Sequence, residues 1–158
     1  MIRLATPSDL PAIIHLIRAL AEYEKLSHQV VIEEARLREH LFGPKPYAEV
    51  LLAEDGGQVV GYALFFHTYS TFLARPSLYL EDLFVLPEQR GRGHGKALLA
   101  RLARLAVERG CGRFEWMVLD WNTPAIQFYE SLGAAVSPEW KLCRMTGDAL
   151  ERFAATAA

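Results

Sequence analysis

The sequence holds two cysteines among its 158 residues, Cys111 and Cys143. Two thiols so placed make neither a disulfide framework nor a metal motif, and both are expected to be reduced. His15, His28, His40, His67 and His94 show no metal-ligand spacing, so no metal is expected. No Ser-His-Asp or Cys-His set is visible, which argues against a covalent enzyme intermediate. An excess of one charge is also missing. Lys and Arg number 17 against 19 Asp and Glu, a formal charge of -2, which argues against a nucleic-acid partner. The longest apolar block, Val59 to Phe66, is interrupted by Gly61 and falls far short of the roughly 18 residues of a membrane span. The first residues, Met1-Ile-Arg-Leu-Ala-Thr-Pro, lack the apolar region of a signal peptide. The expectation is a cytoplasmic protein with no membrane partner. No linker, low-complexity segment or repeat breaks the chain, so one domain over residues 1–158 is expected.

What is present is a hydrophobic fraction of 51%, enough for a packed core. Ile2 to Ala5 reads as a strand. Thr6-Pro7-Ser8-Asp9 opens a helix, with proline where the first turn tolerates it and an acid near the positive end. Leu10, Ile13, Ile14, Ile17, Leu20 and Ala21 recur at helical spacing. Glu33 to Leu41 reads as a second helix. Tyr47 to Glu54 and Gln58 to His67 read as strands joined by the hairpin chemistry of Asp55-Gly56-Gly57. Thr68 to Pro76 is expected as a loop and Leu78 to Val85 as a central strand. Gly95 to Arg109 reads as a helix with Leu98, Leu99, Leu102, Leu105 and Ala106 on one face. Phe114 to Leu119 is a further strand, and Asn122 or Thr123 caps a helix to Leu132. Trp140 to Met145 is predicted as a last strand before a short helix. The order indicates one mixed α/β layer structure.

The densest signal is Arg90-Gly-Arg-Gly-His-Gly-Lys96, between a strand and a helix. Alternate glycines let the backbone approach a ligand closely, and the helix start offers N–H groups. Together they fit a phosphate or pyrophosphate. Arg90, Arg92 and Lys96 add positive charge, and Arg101 and Arg104 extend it. Gly91 and Gly95 are one residue too close for a P-loop, and Ala97 stands where its metal-binding hydroxyl would be. The spacing GxGxG also departs from the dinucleotide fingerprint GxGxxG. The alternative for the segment by itself is a glycine-rich tight turn without ligand.

Arg90-Gly-Arg-Gly-His-Gly resembles the Arg/Gln-x-x-Gly-x-Gly/Ala signature of the GNAT acetyltransferase superfamily. Asp120-Trp-Asn-Thr-Pro-Ala-Ile-Gln-Phe-Tyr129-Glu-Ser-Leu-Gly133 resembles that family's second motif. Within the family the chain is similar to the diamine branch, the spermidine/spermine and thialysine N-acetyltransferases. The matching segments are Leu20 to Glu24, Tyr79 to Val85, Val118 to Asn122, and Glu139-Trp140. The resemblance implies a single-domain, mixed, mostly antiparallel sheet with helices on both faces and splayed central strands. It implies acetyl-CoA as cosubstrate, a small-molecule amine as acceptor and a homodimer.

It also implies roles. Residues Arg90, Gly91, Arg92, Gly93, His94, Gly95 and Lys96 would hold the cosubstrate's pyrophosphate, with His94 itself structural. A backbone N–H among Leu83, Phe84 and Val85 would polarise the carbonyl, and Asn122 would hold the pantetheine arm or the thiol side. By position alone Tyr129 reads as a core aromatic beside Phe128; the second motif makes it the general acid for a departing thiolate. Glu81 would face the amine as base. Glu81 and Asp82 are neighbours on a strand and should therefore face opposite sides. Tyr23, Glu24, Glu81, Asp82, Glu115, Glu139 and Trp140 would form an acidic, aromatic amine pocket. Polyamine acetylators of this kind carry an acid after a Thr-Tyr pair, whereas this chain reads Thr68-Tyr69-Ser70. A lysine-like amino acid such as thialysine, or a diamine, is therefore expected. The alternatives are a polyamine, a protein amine, or a module that binds CoA without catalysis.

Overall fold

Three residues decide how the chain enters its first helix. Asp9 accepts the Thr6 N–H at 2.7 Å and the Thr6 hydroxyl at 2.9 Å, so the turn is closed by its own side chains. The Arg3 guanidinium grips both Asp9 carboxylate oxygens at 2.8 Å and reaches Glu54 at 2.7 Å. The hydrogen bonds from Arg3 hold the Asp9 carboxyl well below the usual carboxylate range. A lowered pKa stabilises the fold above the ordinary carboxylate value of ~3.9, and that stability is lost as pH falls through the folded value. Asp9→Ala is expected to cost about 1–2 kcal/mol in urea unfolding at neutral pH. The difference from wild type should shrink on acidification.

A computed structural model describes residues 1–157. Its five strands are β1 (Ile2–Leu4), β2 (Glu49–Asp55), β3 (Gln58–Ser70), β4 (Arg75–Val85) and β5 (Arg113–Trp116). They lie in that order in one open sheet, antiparallel except for β5, which joins β4 in parallel. The helices are α1 (Leu10–Tyr23), α2 (Glu34–Phe42), α3 (His94–Glu108), α4 (Thr123–Ser131) and α5 (Gly147–Ala154). The mixed, mostly antiparallel sheet is as expected. The chain groups into two compact units: Met1–Met117, with the sheet and α1 to α3, and the residues from Val118 on, with α4 and α5.

Helices cover both faces of the sheet. On one, Ile13 and Leu16 of α1 pack with Leu41 of α2 against Val50, Leu52, Tyr62 and Phe84. On the other lies α3. Its buried residues are Leu98, Leu99, Leu102, Leu105 and Ala106, the five read from the sequence. The α1 stripe is wider than its spacing indicated: Leu16 is buried as well, while Ile17 and Leu20 are half-buried beside it.

Three expected elements differ. The loop at residues 68–76 is mostly ladder, since β3 runs to Ser70 and β4 starts at Arg75. Ser70 accepts the Leu73 N–H and closes a tight turn there, a role its polar neighbours disguised. The strand expected over residues 114–119 ends at Trp116. Trp140 to Met145 forms no strand. Alternating character marks a strand only where a neighbour supplies a ladder, and no strand occurs among the described residues from Val118 on.

Candidate active site

Helix α3 is entered through two left-handed glycines, Gly91 at φ 76° and Gly93 at φ 84°. Positive φ is what makes glycine necessary at both. A Cβ at either position would meet no protein atom within 4 Å. Gly95 is different: it has no positive φ, and a Cβ there would touch only Val85, at 3.9 Å. The Ala97 N–H is bonded to the Gly93 carbonyl, so the N–H groups of His94, Gly95 and Lys96 have no acceptor inside the helix. An exposed backbone at the positive end of a 15-residue helix is an anion site by construction. His94 Nε2 is buried without a hydrogen bond, 3.6 Å from Asp55 Oδ2. Arg92 reaches the same Asp55 oxygen at 3.1 Å, and Lys96 is exposed. Arg101 and Arg104, expected to extend the positive charge, are both bonded to Glu108.

Arg90 is held differently. Its Nε donates to the Val85 carbonyl at 3.0 Å, and its guanidinium lies 4.4 Å over the Tyr23 ring and 5.5 Å from the Phe84 ring. It ties the loop to the end of β4 and to the end of α1. Tyr23 and Phe84 are themselves in ring contact at 6.3 Å.

Strand β4 departs from its partner β5. The parallel pairing stops at Leu80 with Trp116, while β4 continues to Val85. The Leu86 N–H bonds Val60 in β3 at 2.9 Å. Alternation along the strand then turns the N–H groups of Leu83 and Val85 to the opposite edge, where β5 no longer runs. Splayed central strands were expected, and this divergence is their form.

A β-bulge sits in the same strand. Asp82 pairs with Leu64 and Leu80 pairs with Phe65, so Glu81 is the extra residue without a register partner. The bulge switches the phase of β4. Leu80 lies on the α3 face with Phe65, whereas Asp82 and Phe84 lie on the α1 face with Tyr62. The expectation that Glu81 and Asp82 face opposite sides assumed an unbroken strand and does not hold. The charge of Glu81 instead acts on Tyr62, Tyr79 and Asp82 alike, raising all three.

Asp82 is the perturbed carboxyl of the group. Burial pushes it up to about 6, with Glu81 and Glu24 adding to the rise and a hydrogen bond from Tyr62 opposing it. The Tyr62 hydroxyl donates to Asp82 Oδ2 at 3.0 Å from a fully buried ring. Glu115, on β5, raises Tyr79 together with Glu81. In the first unit Glu24, at the end of α1, and Glu81, on β4, both act on Asp82, while Glu115, on β5, acts with Glu81 on Tyr79. In the second unit Asn122 caps α4, accepting the Ala125 N–H at 3.4 Å. Tyr129 is half-buried beside Phe128, ring centroids 5.7 Å apart, and burial pushes its phenol up. Glu139 and Trp140 lie on exposed irregular chain.

Residues 13–134 match the Acetyltransferase (GNAT) family. The chain belongs to that family. It is 42% identical to thialysine N-epsilon-acetyltransferase of Mus musculus, covering 97% of this chain and 96% of the relative. It is 38% identical to L-ornithine N5-acetyltransferase NATA1 of Arabidopsis thaliana, covering 95% and 86%. Among solved structures, an integron cassette protein from the mobile metagenome of V. cholerae superposes with a TM-score of 0.81 at 26% identity, over 98% and 96% of the two chains. The chain is thus an N-acetyltransferase, and its similarity places it in the diamine and thialysine branch of the GNAT family.

Two residues that contact candidate site residues of this acetyltransferase carry no signal of it in the sequence. Tyr62 sits in an apolar run where it reads as core, and its hydroxyl acquires a partner only through the register of β3 and β4. Asp55 reads as hairpin chemistry in the sequence, whereas the fold brings it to Arg92, 37 residues away, and to His94.

Proposed function

We propose that the chain transfers the acetyl group of acetyl-CoA directly to the primary amine of a small molecule, foremost a lysine-like amino acid such as thialysine, or a diamine. The observation that carries this reading is a half-buried carboxyl of raised pKa, Asp82, within an acidic group, on the unit that also presents the glycine-opened helix end. Both halves have a chemical use. The N–H groups at the start of α3, with Arg92 and Lys96, fit the diphosphate of acetyl-CoA, the cosubstrate of this family. An anion there needs the bare backbone that Gly91 and Gly93 leave.

A primary amine has a pKa near ~10.4 and arrives charged. Glu24, Glu81 and Glu115 attract the cation, and Asp82 takes its proton, directly or through a water. A carboxyl raised to about 6 accepts that proton with a smaller free-energy rise than an ordinary carboxylate. The N–H groups of Leu83 and Val85 are placed on the open edge of β4 to receive the carbonyl oxygen as charge grows on it. Tyr129 donates to the departing thiolate, whose pKa is near ~8.5. The family match across residues 13–134 supports reading residues 1–158 as one catalytic domain.

Support for the substrate comes from the thialysine and ornithine acetyltransferases among the relatives and from Ser70. Ser70 is buried and used in a turn, so it offers no second ammonium a partner. The three glutamates favour a second reading, a spermidine or spermine acceptor. Initial rates with thialysine, lysine, ornithine, putrescine and spermidine decide between them. The expected order puts the amino acids first by at least about tenfold in kcat/KM, a gap of about 1.4 kcal/mol. A clear preference for spermidine would reverse the assignment.

A further inference from the structure

We propose that Tyr62 is a positioning residue for proton removal: its hydroxyl fixes Asp82 through Oδ2, sets how basic that carboxyl is, and leaves Oδ1 to take the proton of the amine. The inference deepens the proposed function and rests on Asp82 being the base.

The geometry is specific. Tyr62 is fully buried in the cluster of Ile13, Leu16, Val50, Leu52 and Phe84, so its ring has no freedom to turn away. Its phenol has one proton to give, and Asp82 lies 3.0 Å away. The contact exists because of the bulge. Without Glu81 as an extra residue, Asp82 would fall on the α3 face with Leu80, and Tyr62 would be a buried hydroxyl without this partner. One β-bulge therefore creates both the acid pair and the hydrogen bond that steadies it.

The groups acting on Asp82 come from every element around it. Tyr62 donates from β3, Glu24 repels from the end of α1, and Glu81 repels from β4 itself. The cation Arg90, over Tyr23 and Phe84, is tied to the Val85 carbonyl. Burial and the two glutamates raise Asp82, and Tyr62 alone among its neighbours lowers it. A donor to the charged form always favours ionisation. Tyr62 thus favours the deprotonated base against burial and the two glutamates, which favour its protonation. Burial of Tyr62 and the adjacent carboxylate push its own phenol up, so it stays a donor across the working range.

The test is the pH profile of kcat/KM at a fixed amine concentration. Wild type should show an acid limb near pH 6, the value at which Asp82 loses its proton. Tyr62→Phe removes only the donor, and its limb should move up by about one unit, so that kcat/KM at acid pH drops about tenfold while the alkaline plateau changes far less. A 3-fluorotyrosine at position 62 keeps the hydroxyl and makes it a stronger donor, and its limb should move down. This second variant also answers the case in which Tyr62→Phe folds poorly. Shifts of opposite sign in the two variants establish the positioning role. A limb unmoved in both, or an equal loss at every pH, overturns it while leaving the base in place. The base reading has its own control in Asp82→Asn, which should abolish the limb; a limb that survives Asp82→Asn would overturn both.

Discussion

Tyr129→Phe should bind acetyl-CoA within about twofold of wild type and lose two to four orders of magnitude in kcat, the usual span for a general acid. The substitution removes one oxygen from a half-buried ring and leaves its contact with Phe128. Burial pushes the phenol up, which keeps Tyr129 protonated at every pH where the enzyme works. Such a group does not surrender its proton to the resting thioester. As the proposed general acid it would act only as the carbon–sulfur bond breaks and negative charge appears on sulfur. The loss should therefore fall on kcat and leave the binding constant of CoA almost untouched. Calorimetric titration with CoA beside steady-state rates measures the two separately. Wild-type turnover in the variant would remove Tyr129 from the chemistry.

The second large effect is at the helix entrance. Gly93→Ala and Gly56→Ala make a matched pair. Both glycines have positive φ, 84° and 56°, and a Cβ at either meets no protein atom within 4 Å. Both variants should lose about 1–2 kcal/mol of stability, the cost of a left-handed conformation with a side chain. Only Gly93 stands where the diphosphate is proposed to approach the backbone. Gly93→Ala should raise the KM for acetyl-CoA by about 10- to 100-fold, matching the loss of one charge-assisted hydrogen bond. Gly56→Ala, in the hairpin between β2 and β3, should leave it unchanged. Equal effects on KM would mean that strain, and not ligand contact, governs the loop.

The elements that were legible in the sequence are those whose signal is local. The apolar stripe of α3 emerged residue for residue, because five buried side chains repeat at helical spacing and glycines bound the helix. The glycines of the loop before it were legible as backbone freedom, which Gly91 and Gly93 use at positive φ. The elements that failed did so because they depend on a partner. Ser70 looks like loop chemistry and is the closing residue of a hairpin. Trp140 to Met145 is rich in apolar residues like a strand, yet no strand occurs among the described residues from Val118 on. Glu81 and Asp82 looked like opposite-facing neighbours until the register of β3 against β4 inserted a bulge between their faces.

By itself the sequence determined the chemical class. Two motifs in order, Arg90 to Gly95 and Asp120 to Gly133, are short-range patterns whose residue types the chemistry itself requires. It also supplied the acids Glu24, Glu81, Asp82 and Glu115. Only the tertiary structure decided which of them has its proton affinity raised by burial. Proton affinity depends on burial and on the nearest donor, and both are set by residues distant in the chain: Tyr62 lies 20 residues from Asp82, and Glu24 at the end of another element. A sequence states which groups can ionise, and the packing around each one fixes where it does.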